Sequence, residues 1–199
     1  GRVCRRRATA AVLAVYRPVG LASTVQGVAA LNLRYCARSR ESDDAMRTIF
    51  SEQHRLRDAK TELYGGELVK PFERPSRADM VVEAVRTAKL GPVEAPESFS
   101  MDPVLRIHDA DFVSFLETAW KEWSQTGYAG EAMASVWPAR RMQCRAPRFI
   151  EGKLGYYALA AETSISEGTW EAAVASKDVA LTGAKALVSG ESGMFSLCR

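Results

Sequence analysis

The stretch Ile150–Arg199 constrains this chain most. It begins as a run rich in glycine and tyrosine, continues as a helical pattern from about Thr169 to Leu187, turns at Gly190 and Gly193, and ends in the short apolar run Met194–Cys198, which reads as a strand. A long helix delivered within a few residues to an apolar strand is half of a parallel α/β arrangement. In such sheets ligands and catalytic groups collect beyond the carboxyl ends of the strands. Function is therefore expected near the end of that strand and in the loops that face it.

The rest of the chain reads as a mixture of short strands and longer helices. Arg47–Ser51 reads as a first strand, followed by a polar stretch to Lys60, and Gly65-Gly66, Pro71 and Pro75 interrupt any regular element there. Met80, Val81, Ala84, Val85 and Ala88 recur at helical spacing within 76–89, and Gly91-Pro92 end that helix. Val93–Ala95 is a candidate strand. Asp102-Pro103 opens a helix with Asp as the cap, and Phe112, Phe115, Leu116, Ala119, Trp120 and Trp123 form the apolar stripe of another over Ala110–Ser124. Gln125–Ile150 carries glycines, prolines and the pair Arg140-Arg141, and reads as a long loop of the kind that is usually functional. Three short strands are too few to close a parallel sheet, so the core reads as unfinished.

Charge divides the chain at about residue 45. Residues 1–40 hold eight arginines and no acid, so the remaining residues carry 19 basic and 24 acidic side chains, a net charge of −5. Arg5-Arg6-Arg7 precede the apolar run Ala8–Tyr16, a composition shared by mitochondrial transit peptides and loosely by secretory segments. Equally, Met46 reads as a translation start with an extraneous segment before it. These readings leave 1–45 as a leader or upstream segment, 46–199 as the folded domain, and the location as cytoplasmic or mitochondrial. Nucleic-acid binding needs a basic face on a folded domain, which the acidic body lacks. No apolar run reaches the ~20 residues of a membrane span, so neither nucleic acid nor membrane is an expected partner.

Most catalytic motifs are absent. Cys4, Cys36, Cys144 and Cys198 lie far apart and read as buried or idle thiols, and His54 and His108 are isolated. His108 reads as a helix cap or a packed side chain. No G-x-S-x-G, H-E-x-x-H, Walker or dinucleotide glycine pattern occurs. What remains are carboxylates beside glycines and tyrosines in segments that read as non-helical. Glu62 and Glu67 flank Tyr64-Gly65-Gly66, and Glu151 and Glu162 flank Gly152, Gly155, Tyr156 and Tyr157. Such acids either line a pocket for a cationic ligand or are solvated loop residues.

Three stretches carry a family resemblance. R-T-I-F-S-E-Q-H-R-L-R-D-A-K-T-E-L-Y-G-G-E-L (Arg47–Leu68), I-H-D-A-D-F-V-S-F-L-E-T-A-W (Ile107–Trp120) and Ile150–Arg199, which ends in F-S-L-C-R, resemble the amino-terminal half of acetylpolyamine amidohydrolases of the histone-deacetylase superfamily. The resemblance implies a partial three-layer α/β/α arginase-deacetylase-like fold with a parallel sheet. It implies a zinc-dependent amide hydrolase acting on acetylated polyamines or acetyl-lysine-type amides, with the zinc ligands, histidine pair and catalytic tyrosine beyond Arg199. Glu62, Tyr64, Glu151 and Glu162 match substrate-binding positions, and 125–150 matches a segment that narrows the entrance and joins two subunits as a homodimer. No catalytic residue or metal ligand is expected in these 199 residues, which are expected to be inactive by themselves. The alternatives are a catalytically silent binding or dimerisation module, or a gene product without function.

Overall fold

The computed structural model describes residues 45–139, 141 and 145–198. The chain separates into two units, Gly1–Ala45 and Met46–Arg199, and every strand and helix described belongs to the second. The expectations for the leader and for Cys4, Cys36 and Cys144 fall outside the described residues, as does Arg140.

Strand β1 (Arg47–Ile49) lies at the centre of a three-stranded parallel sheet of order β4-β1-β5, where β4 is Val93–Glu94 and β5 is Met194–Ser196. Thr48 pairs with Val93 on one side and Phe195 on the other, while Ile49 pairs with Glu94 and Ser196. Thr48 is 0% and Ile49 1% exposed. Adjacent strand residues point to opposite faces, so burial of both means that both faces are covered, as in parallel sheets. All three strands are shorter than their sequence patterns, although the Phe50 amide still donates to the Glu94 carbonyl at 2.9 Å and the Leu197 amide to the Ile49 carbonyl at 3.0 Å.

Helix α1 (Pro75–Thr87) links β1 to β4. Pro75 sits in its first turn, where the missing amide costs nothing, so this proline starts the helix rather than breaking structure. Ala78, Val82 and Val85 are its buried residues, and Ala78 and Val82 pack with Phe50, Val93 and Leu197. Helix α5 (Thr169–Val188) precedes β5 and buries Ala172, Ala175, Val179, Thr182 and Gly183. A Cβ at Gly183 would overlap Ser196 Oγ, so glycine there sets how closely α5 meets β5. Since Ser196 faces α5 and the next residue, Leu197, faces α1, the two helices cover opposite faces of the sheet. That is the expected three-layer arrangement.

A second apolar cluster lies away from the sheet. Helix α2 (Asp102–Leu105) is a single turn with Met101 as its cap, so Asp102 lies in the helix rather than capping it. Helix α3 (Ala110–Ser124) buries Val113, Phe115 and Ala119, and Phe115 and Ala119 pack with Ala132, Ala134, Ile150 and Leu154. Trp120 is only half-buried.

Two sequence expectations fail here. Gly65-Gly66 do not end regular structure but form the two-residue turn of a hairpin, β2 (Glu62–Tyr64) with β3 (Glu67–Val69). Their φ values of +60° and +89° are those of the primed turn whose twist matches paired strands. Ile150–Tyr157 is helix α4, not a loop. Its glycines misled because they serve packing: a Cβ at Gly155 would overlap the Val136 carbonyl oxygen, and one at Gly152 would crowd Pro147. The loss in helix propensity, about 1 kcal/mol per glycine, is offset by the close approach that it permits. Among the described residues, no helix is long and apolar enough to cross a membrane.

Candidate functional site

The loops beside the hairpin meet at one carboxylate. Glu131 lies in the segment between α3 and α4, whose described residues include a bridge pairing Ala132 with Ile165. Its Oε1 accepts the Lys60 amide at 2.8 Å. Its Oε2 accepts the Thr61 amide at 3.0 Å, Thr61 Oγ1 at 2.8 Å and Ser164 Oγ at 3.3 Å. Arg57 Nη2 donates to the Ser164 carbonyl at 3.1 Å. Burial pushes the Arg57 pKa down, against the opposing pull of Glu131 and Glu62. Three chain segments, 57–61, 131–132 and 164–165, are thus tied by charge-assisted hydrogen bonds.

Of the four residues matched to substrate positions, Glu62 and Glu162 lie close in sequence to this junction. Glu62 follows Thr61 at the start of β2, and its Oε2 accepts the Phe72 amide at 2.9 Å, which also fixes the chain after the hairpin. Tyr64 ends β2, 58% exposed, pairs with Glu67 and meets Phe72 edge-on at 5.5 Å. Glu162 is exposed in the bend between α4 and α5, two residues before Ser164. Glu151 stands apart in the first turn of α4, where an acid complements the helix dipole. Its Oε1 accepts Tyr128 Oη at 3.5 Å. The structure therefore places Glu62 one residue and Glu162 two residues from Thr61 and Ser164, which Glu131 ties together, and seats Glu151 in helix α4. Glu62 lies in a strand and Glu151 in a helix, not in irregular segments.

Arg57, Glu131 and Ser164 escaped sequence reasoning. The one available signal was indirect: a long segment without its own elements needs side-chain anchors for its polar backbone, and Glu131 is such an anchor. His54 is buried; its Nδ1 lies 2.8 Å from the Ser51 carbonyl oxygen and its Nε2 3.4 Å from Asp79 Oδ1, and its ring packs on Phe50. These contacts hold the turn Glu52–Leu56 against α1. His108 packs beside the Phe112 ring, as expected of a structural histidine. Cys198 is exposed and follows β5 rather than lying in it, and partial shielding pushes its thiol pKa up.

A cleft of about 420 Å³ opens at the other end of the sheet, lined by Arg47, Glu97, Thr182, Lys185 and Glu191. Its charges are mutually paired: Arg47 with Glu94 at 2.6 Å and Glu191 at 3.0 Å, and Lys185 with Glu97 at 2.6 Å. It lies at the amino ends of β1 and β5, opposite the edge where α/β sheets place ligands. Among the described residues no three His, Cys, Asp or Glu side chains gather as metal ligands. By themselves they do not fit the zinc ion that the resemblance implies.

No family model matches the chain. The chain is 54% identical over 154 residues to an acetylpolyamine amidohydrolase of Mycoplana ramosa, a match covering 77% of this chain and 45% of that protein. The chain is a homologue of the acetylpolyamine amidohydrolases. Acetylpolyamine amidohydrolase 2 of Pseudomonas aeruginosa is 44% identical to the present chain over 154 residues, with the same coverage. The solved structure of an acetylpolyamine aminohydrolase from Burkholderia pseudomallei superposes with a TM-score of 0.70 at 30% identity, covering 77% of this chain and 44% of that one. The parallel sheet and its helices are those of the arginase-deacetylase-like α/β fold. The homologue spans less than half the length of the curated relatives it matches.

Proposed function

We propose that residues 46–199 are the amino-terminal part of a zinc-dependent deacetylase that hydrolyses acetylated polyamines, and that they supply its scaffold and its substrate rim. The observation that carries this reading is the 54% identity with the Mycoplana ramosa amidohydrolase across 154 residues, the length of the unit Met46–Arg199. The rim chemistry agrees with it. Glu62 in β2, Glu162 in the bend before α5 and Glu151 on α4 supply the acids of that rim in this reading, and Tyr64 adds an exposed aromatic ring; a protonated amine chain favours acids and an aromatic face. The zinc ligands and the acid-base residues come, in this reading, from sequence beyond Arg199. When bound, zinc would polarise the acetyl carbonyl and activate water. Tyr128, Val136 and Phe149, all exposed in or beside the 125–150 segment, supply the apolar surface for the homodimer contact.

Two measurements test this. The transcript read past the Arg199 codon should continue in frame and encode a histidine pair and an Asp-His-Asp ligand set; a stop codon there would leave the binding-module reading or a gene product without function. In the longer protein, Glu151→Ala and Glu162→Ala should each raise KM for an acetylated polyamine several-fold more than for an uncharged acetamide. Equal effects on both substrates would remove the polyamine rim.

A further inference from the structure

We propose that Glu131 is a positioning residue, which fixes Glu62 and Glu162 relative to one another so that both address one cationic ligand; this rests on the reading of those two acids as the substrate rim. Glu131 receives four donors from two segments distant in sequence: the Lys60 and Thr61 amides and the Thr61 hydroxyl from one, and the Ser164 hydroxyl from the other. Glu62 is the residue after Thr61, and Glu162 lies two residues before Ser164. Ser164 is 1% exposed, and its hydroxyl is also 3.5 Å from the Thr61 carbonyl oxygen. Its own carbonyl accepts from Arg57.

The Ala132–Ile165 bridge adds two backbone hydrogen bonds, at 3.0 and 2.9 Å, one residue along from Glu131 and from Ser164. The carboxylate and the bridge together form a short rigid span between the hairpin and the 158–164 bend. With its oxygens occupied by the protein, Glu131 has little capacity left for a ligand. Its effect on a ligand is exerted through where Glu62 and Glu162 stand. Arg57, which donates to the Ser164 carbonyl, adds a positive charge near Glu131 and Glu62 and so belongs to the same brace.

The test uses spermidine as probe and the 199-residue protein. Glu131→Gln keeps the size of the side chain but replaces one acceptor oxygen by a donor. It should weaken spermidine binding, followed by calorimetry, roughly fivefold, and speed amide exchange at Lys60, Thr61, Ala132 and Ile165 roughly tenfold while β1 is unchanged. The charge-neutral pair Thr61→Val with Ser164→Ala should weaken spermidine binding as well, whereas Glu117→Gln, on the exposed face of α3, should change neither readout. Faster exchange without loss of affinity would make Glu131 a brace only and overturn the proposal. Loss of affinity in Glu131→Gln but not in the charge-neutral pair would reduce it to a general charge effect and overturn it equally. A wild-type protein that does not bind spermidine would sink the rim reading itself, and the positioning role with it.

Discussion

Around β1 the protein buries Thr48 and Ile49 between two helices, whereas around Glu131 it joins three loops through four donors converging on one carboxylate. The first region is held by removal of apolar surface from water, which is non-directional and scales with area. The second is held by hydrogen bonds whose worth depends on geometry and on every partner being present. Volume errors should therefore dominate in the sheet, and lost donors or displaced backbones in the rim.

The largest effect is expected in the sheet. Ile49→Ala removes a large, fully buried side chain from the central strand and should cost about 3–4 kcal/mol in denaturant unfolding; a cost under about 1 kcal/mol would mean that the sheet is not the stability core. Gly155→Ala probes the rim by volume. Its Cβ would overlap the Val136 carbonyl, so a loss of about 2–3 kcal/mol is expected, together with lost protection of the Ala132–Ile165 bridge. A neutral result would show that α4 is not packed on the preceding segment.

Thr48→Val turns the comparison around. Among the described residues the Thr48 hydroxyl has no hydrogen-bond partner although it is wholly buried, so the nearly isosteric valine should stabilise by about 1 kcal/mol. Destabilisation would reveal a partner for that hydroxyl.

The smallest effects are electrostatic and lie where α3 meets α4. Tyr157 is pushed up to about 12, first by burial and then by its hydrogen bond to Asp111 at 3.1 Å. A phenol raised in the folded state contributes stability below its unfolded value, and that contribution is lost as pH rises toward 12. Ultraviolet titration should show a tyrosine ionising near 12 that disappears in Tyr157→Phe, and that substitution should flatten the alkaline decline. At the acid end, the Lys153 ammonium, 2.6 Å from the Glu122 carboxylate, holds its pKa below the usual range. That contribution is present at neutral pH and fades as pH falls through the carboxylate range, so Glu122→Gln should shallow the acid decline in Tm.

The same contrast explains what could be read from the sequence. The sheet and α1, α3 and α5 were legible because their apolar residues recur with helical or strand period, and Gly91 and Gly190 punctuate them. The rim was legible only through resemblance, which singled out Glu62, Tyr64, Glu151 and Glu162 without saying what supports them. Helix α4 was missed because Gly152 and Gly155 lower its propensity, and their value lies in contacts with Pro147 and Val136 that no local pattern encodes. Glu131 was missed because an acid in a long loop looks the same whether it faces water or receives two backbone amides. Pairings that depend on distant segments have no local period to reveal them.

The central claim, that this domain is scaffold and rim for a metal gripped by other residues, is tested most directly by giving the purified 199-residue protein zinc, dialysing, and measuring bound metal together with acetate released from acetylated spermidine. The account predicts no stoichiometric zinc and no acetate above the uncatalysed rate. One zinc per chain with turnover would contradict it.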